Sequence, residues 1–186
     1  MSNKKTNLLI GICSGIALYK TCSVVSNLTQ AGYDVKVVMT TNATKLVSPV
    51  VFAALSHNKV YSETFEEQWS DSHVSLCSWA DGMIIAPVTA NTLAKIAHGI
   101  ADDLLTTTVL ALPQQKPLLL FPAMNDQMWM NPMTQENIQR IRSMKRKTPV
   151  CLVEPKQGRL ACGTDNVVGR LPEPEEIIRE VKKQVR

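Results

Sequence analysis

Short apolar runs bounded by turn-forming residues alternate along this chain with longer stretches of helical period. "NLLIGIC" (Asn7–Cys13), "DVKVVMT" (Asp34–Thr40), "GMIIAP" (Gly82–Pro87), "PLLLFP" (Pro117–Pro122) and "PVCLV" (Pro149–Val153) have the length and the β-branched or leucine content of strands covered on both faces. Between the first two, Ile16, Tyr19, Val24, Leu28 and Ala31 fall close to one helical face, and Gly32 supplies a helix-ending glycine. Residues 90–113 read as a helix broken near Gly99, then a second short helix capped by Asp102 or Asp103. Residues 131–145 open with an asparagine cap and a proline in the first turn, and residues 173–185 place acids in the first turn and bases in the last. Strands alternating with helices predict an α/β fold, a doubly wound parallel sheet whose ligands bind beyond the carboxyl ends of its strands.

At 186 residues and 45% hydrophobic, the chain suits one compact domain over residues 1–186. Twenty Lys and Arg against sixteen Asp and Glu leave a charge of +4, too small and scattered for a nucleic-acid footprint but compatible with phosphate-bearing ligands. Cys13, Cys22, Cys77, Cys151 and Cys162 show neither CxxC nor zinc-ligand spacing, so they read as reduced thiols and no metal site is expected. The N-terminal segment lacks a secretory h-region and no apolar run reaches membrane-spanning length, so a cytoplasmic location without a membrane partner is expected.

The predicted strand ends carry the candidate chemistry. Ser14 and Gly15 follow the first strand and open the next helix, where free backbone N–H groups and a hydroxyl suit an anion, although taken alone a tight turn and a helix cap explain them better. Thr40 ends the second strand and Thr89 the third, a repetition that favours a phosphate-bearing cofactor while capping still accounts for each one separately. Neither GxGxxG in the first turn nor GxxxxGK[ST] anywhere is present, which favours a mononucleotide such as FMN over NAD or ATP. After the fourth strand comes "FPAMNDQMWMNP" (Phe121–Pro132), whose methionines suit core filling. Its Asn125 amide is able to donate to a carboxylate while remaining neutral.

"GICSGIALYK", "APVTANTLAK", "GIADDLLTTTVLA", "PAMNDQMW" and "GRLACG", in this order and spacing, resemble the homo-oligomeric flavin-containing cysteine decarboxylases, most closely their coenzyme A branch. The most specific matches are PxMNxxMW, met by Pro122, Met124, Asn125, Met128 and Trp129, and PxTANT, met by Pro87, Thr89, Ala90, Asn91 and Thr92. The resemblance implies a flavodoxin-like, Rossmann-type three-layer domain that binds FMN and assembles as a homo-oligomer, a trimer or a dodecamer. It implies decarboxylation of a phosphorylated, cysteine-containing small molecule, 4'-phosphopantothenoylcysteine, to 4'-phosphopantetheine. Oxidation of the carbon bearing sulfur to a thioaldehyde, with FMN as hydride acceptor, precedes loss of CO2, and hydride return with a thiol proton completes a redox-neutral reaction.

Carried over by motif, Ser14, Gly15, Ile16, Thr40, Pro87, Thr89, Ala90 and Asn91 would hold FMN. Asn125, Met124, Met128, Ala161 and Cys162 would hold substrate, Asn125 gripping the carboxylate. His73 matches a family active-site histidine suited to proton relay, and Cys162, on a flexible flap expected near residues 154–170, would be the proton donor. The segment after Cys162 departs from the family pattern by one apparent extra residue, Asn131 stands where a histidine is common, and Ser14 replaces a frequent glycine. No ligase domain is seen after the last predicted helix, so the ligase is expected on a separate protein. Two rival functions remain: a peptidyl-cysteine decarboxylase acting on a precursor peptide, favoured by the altered flap, and a non-catalytic flavin-binding regulatory subunit, disfavoured by His73, Asn125 and Cys162 together.

Overall fold

In the computed structural model, residues 5–63, 73–163 and 165–185 are described. The five expected strands form, as β1 (Asn7–Ile12), β2 (Asp34–Met39), β4 (Gly82–Val88), β5 (Leu118–Pro122) and β6 (Cys151–Leu152), with a two-residue β3 (Val60–Tyr61) added at one edge. They pair in parallel in the order β3-β2-β1-β4-β5-β6. The order reverses direction between β1 and β4, which opens a crevice at the carboxyl ends of those two strands.

Both faces of the sheet are covered, as the uninterrupted apolar strands require. On one face Leu8, Ile10, Val35, Val37, Ile84, Leu119 and Phe121 pack against α1 (Tyr19–Gln30), α3 (Pro49–Ser56) and α9 (Pro174–Gln184) through Val24, Leu28, Phe52, Ile177 and Val181. On the other, Leu9, Val38, Met83, Ile85, Leu118 and Leu120 pack against α4 (His73–Trp79), α5 (Ala90–His98), α6 (Leu104–Ala111) and α8 (Pro132–Arg142). Neighbouring residues of one strand thus serve opposite layers, and all seven residues of β4 are buried.

The helix boundaries follow the cap signals. Gly99 closes α5 at φ +68, a backbone conformation that L side chains rarely adopt, and Asp103 rather than Asp102 begins α6 with a reciprocal capping box to Thr106. Asn131 caps α8 ahead of Pro132. Lys95 of α5 bridges to Asp102 and Asp103, bracing the junction of the two helices.

Three features differ from the expectation. The turn after β1 first makes a 3-10 turn (Ile16–Leu18), and α1 begins only at Tyr19, so Ser14 and Gly15 do not open an α-helix directly. Between Thr41 and Trp79 lie α2 (Thr41–Thr44), α3, β3 and α4, none of which the hydrophobic period revealed. The glycine-rich segment near the C-terminus holds an antiparallel hairpin, β7 (Lys156–Gly158) with β8 (Val167–Arg170). No described helix is long and apolar enough to cross a membrane.

Candidate functional site

The hairpin folds over the carboxyl end of the sheet. Gly169 lies so close to the chain leaving β5 that a Cβ there would sit 2.2 Å from the Met124 carbonyl oxygen, and the Met124 N–H donates to the Gly169 carbonyl at 3.0 Å. Glycine alone permits this backbone-on-backbone approach. Behind it, the ammonium of Lys20 on α1 donates to the Leu171 carbonyl at 3.3 Å and to Glu173 at 3.0 Å, while Arg170 also pairs with Glu173. Lys20 is buried, and its hydrogen bond is the largest influence holding the Glu173 carboxyl below the usual glutamate range. The hairpin's return strand is therefore fastened on two sides.

Under it lies a cavity of about 240 Å³ lined by the first turn (Gly15, Ile16, Ala17), the exit of β5 (Ala123, Met124, Asn125) and the hairpin with its flanks (Leu160, Ala161, Cys162, Gly169, Arg170, Leu171). Asn125 Oδ1 accepts from the Gln127 N–H at 2.9 Å, capping the short helix α7 (Asp126–Met130) and fixing the amide's orientation. Its Nδ2 points at the flap and donates to Cys162 Sγ at 3.8 Å. A neutral donor and an exposed thiol thus face the same apolar space.

The other thiols sit in different surroundings. Burial pushes Cys13, Cys77 and Cys151 up to about 11, with Glu180 adding to the effect at Cys151, so each stays a thiol at neutral pH.

Of the residues singled out from sequence, the cavity brings together Gly15, Ile16, Met124, Asn125, Ala161 and Cys162. The remaining phosphate-site candidates lie around it. Pro87 Cγ stands 3.4 Å and Thr89 Cγ2 3.9 Å from where a Cβ on Gly15 would lie, so the turns after β1 and β4 touch. Thr40 caps α2 through Ala43 and Thr89 caps α5 through Thr92, so capping does use both hydroxyls. Ala90 and Asn91 form the first turn of α5, with Asn91 exposed. Ser14 is exposed, and the amides of Ser14, Ile16 and Ala17 find no acceptor among the described residues. That donor set fits a phosphate-bearing group.

Two candidates stand apart from the cavity wall. His73 begins α4 and Met128 is an exposed residue of α7; neither lines the cavity of its own chain. Conversely, Ala17, Ala123, Leu160, Gly169, Arg170 and Leu171 line it without having been singled out. The "VGRL" run held a usable signal, a glycine followed by a cation inside an apolar stretch. Of the expected flap, Thr164 lies outside the described residues.

Comparison with known proteins places this architecture. A family model described as Flavoprotein matches residues 1–186. The chain belongs to the Flavoprotein family. Within this family, it is 46% identical over 179 residues to the coenzyme A biosynthesis bifunctional protein CoaBC of Bacillus subtilis, covering 95% of this chain and 42% of that protein. The chain thus spans about two-fifths of the length of that bifunctional relative. A full-length counterpart is the probable phosphopantothenoylcysteine decarboxylase of Streptococcus mutans, 38% identical with 96% of this chain and 98% of that one covered. Among solved structures, a cysteine-to-serine mutant of PPC decarboxylase complexed with pantothenoylaminoethenethiol superposes with a TM-score of 0.84 at 29% identity, covering 97% of this chain and 98% of that one. The flavodoxin-like, single-domain fold of this Flavoprotein family member follows directly.

Proposed function

We propose that the chain is an FMN-dependent decarboxylase that converts 4'-phosphopantothenoylcysteine to 4'-phosphopantetheine in coenzyme A biosynthesis. The observation that carries this reading is the meeting of the Asn125 amide and the Cys162 thiol across one apolar cavity beside the first turn. A full-length relative named for this activity supports the choice of substrate.

The first turn (Ser14, Gly15, Ile16), Thr40, and Pro87 with Thr89, Ala90 and Asn91 would hold FMN, the unsatisfied turn amides facing its phosphate. Bound there, FMN supplies hydride acceptance and return, without which CO2 would leave behind an unstabilised carbanion. The chain's own residues do the rest. Asn125 Nδ2, oriented by its capping oxygen, donates to the substrate carboxylate. Met124 and Ala161 shape the apolar wall and exclude water. Cys162 Sγ would supply a proton to the substrate carbon. The flap near residues 154–170 covers the substrate.

His73 would relay a proton, and Met128 would add apolar contact. Neither side chain reaches the cavity of its own chain, so both roles assign the complete site to an oligomer, a trimer or dodecamer in which one copy completes the cavity of another. The cytoplasm is the expected setting.

The test is mass spectrometry of products after incubating the purified flavin-loaded protein, and a Cys162→Ser variant, with 4'-phosphopantothenoylcysteine. The expected result is phosphopantetheine from the wild type and an oxidised enethiol-type product from the variant. Wild-type protein that shows a bound-flavin spectrum yet leaves this compound intact refutes the reading. Turnover of a peptide ending in cysteine under the same conditions would then identify the substrate class instead.

A further inference from the structure

We propose that Arg170 selects for the phosphorylated substrate by exchanging Glu173 for the substrate's phosphate as the cavity fills. This inference rests on the decarboxylase reading above. Among the described residues lining the cavity, Arg170 is the one charged residue, and the other polar side chains among them are Asn125 and Cys162. A phosphate arriving at such a wall sheds water and needs a cation in return. A guanidinium, which keeps its charge and presents a fork of donors, meets that need.

The arrangement leaves Arg170 able to exchange partners. Its side chain is 41% exposed, and its guanidinium lies across the hairpin over Gly158, where Nη1 is 3.1 Å from the position of an added Cβ. Among the described residues its hydrogen bonding is confined to Nη2 and Glu173, which leaves Nε and Nη1 to take a second anion. Glu173 has a second cation partner besides Arg170. The same carboxylate oxygen accepts from Lys20 Nζ at 3.0 Å, and Lys20 is itself buried. When Arg170 turns to a phosphate, Glu173 therefore keeps an ammonium partner and no buried charge is left alone. Lys20 is unsuited to the same task, being held by Leu171 and Glu173 and absent from the cavity wall. A substrate without phosphate would leave Arg170 on Glu173 and gain nothing from it.

The experiment measures kcat and KM of the flavin-loaded wild type, Arg170→Gln and Arg170→Lys with 4'-phosphopantothenoylcysteine and with its dephosphorylated form. The wild type is expected to favour the phosphorylated compound. In Arg170→Gln, kcat/KM for that compound is expected to fall roughly 10- to 100-fold further than for the dephosphorylated one, chiefly through KM, as removal of a charged hydrogen bond predicts. Arg170→Lys, which keeps the charge and loses the fork, is expected to show an intermediate preference, and it decides the matter if Arg170→Gln does not fold. A role confined to clipping the hairpin lowers both substrates by one common factor, and an unchanged ratio in the variants overturns the proposal. Wild-type protein that turns over neither compound instead overturns the decarboxylase reading and this inference with it.

Discussion

Gly169→Ala is the sharpest structural perturbation available at this site. Its added Cβ would stand 2.2 Å from the Met124 carbonyl oxygen, 3.4 Å from the Met124 carbonyl carbon and 3.5 Å from the Asn125 carbonyl carbon, at a backbone φ of +154. Ordinary contact with a carbonyl oxygen requires about 1 Å more, and the obstacle is backbone, so β8 has to move away from β5. That motion breaks the Met124–Gly169 backbone hydrogen bond, about 1 kcal/mol net, and adds overpacking strain of about 1–3 kcal/mol. Lys20 still holds Leu171 and Glu173, so the displacement falls on the cavity rather than on the sheet. A 1 Å misplacement of Cys162 and Arg170 relative to Asn125 is expected to reduce kcat/KM about 100-fold, alongside the loss of about 2–4 kcal/mol of stability. Gly32→Ala is the control, because Gly32 has φ +93 and nothing within 4 Å of an added Cβ. It should cost about 1–2 kcal/mol of stability and leave kcat/KM unchanged. Steady-state kinetics and thermal unfolding of both variants distinguish the two effects, and a Gly169→Ala protein with wild-type kcat/KM would refute the reasoning.

Other outcomes follow from the same geometry. Iodoacetamide at pH 8 should modify exposed Cys162 well before Cys13, Cys77 and Cys151, whose thiols are pushed up to about 11, and peptide mapping that finds Cys13 labelled first would contradict the burial argument. The folded-state carboxyl of Glu173 lies below its usual range, so its contribution is present above the unfolded pKa and is lost as pH falls through the folded one. The stability gap between wild type and Glu173→Gln should therefore be widest at neutral pH and close below pH about 4, and a gap that widens on acidification would contradict the assignment. Thr92, buried, accepts from Cys13 Sγ at 3.3 Å and hydrogen-bonds with Thr89 Oγ1 at 3.2 Å, joining two of the turns assigned to FMN. Thr92→Val should cost about 1 kcal/mol in chemical denaturation and weaken FMN binding measured by fluorescence quenching of added flavin, and unaltered affinity would remove Thr92 from that role.

The central sheet was readable because strands buried on both faces leave apolar runs, and β1, β4 and β5 are such runs, while β2 is interrupted by Lys36. Cap chemistry located α5, α6, α8 and α9 to within a residue or two because Gly99, Asp103, Asn131 and the Glu173–Pro174 pair act locally. Residues 41–63 resisted the same treatment. In α3 the β-branched Val50 and Val51 are exposed, so no apolar stripe marks the buried face, and β3 is too short to carry a period. At the site, Asn125 and Cys162 were legible from motif chemistry and do face each other. Gly169 was not singled out because its importance comes from contact with Met124, far earlier in the chain, and Arg170 because a partly exposed cation pairing locally with Glu173 reads as ordinary surface. His73 begins α4 and does not line the cavity of its own chain, a placement that residue spacing alone does not encode.

The fastening of Leu171 and Glu173 by Lys20 divides the flap into a stem tied to α1 and a tip around Cys162. The stem shares α1 with the turn assigned to FMN, so any change in its length would disturb cofactor and substrate together. The extra residue after Cys162 falls in the tip. A change of length in the tip would alter what covers the substrate while leaving the ties to α1 in place. A lineage is free to explore new substrates by editing the tip, and a designer has a segment of defined length in which to do the same.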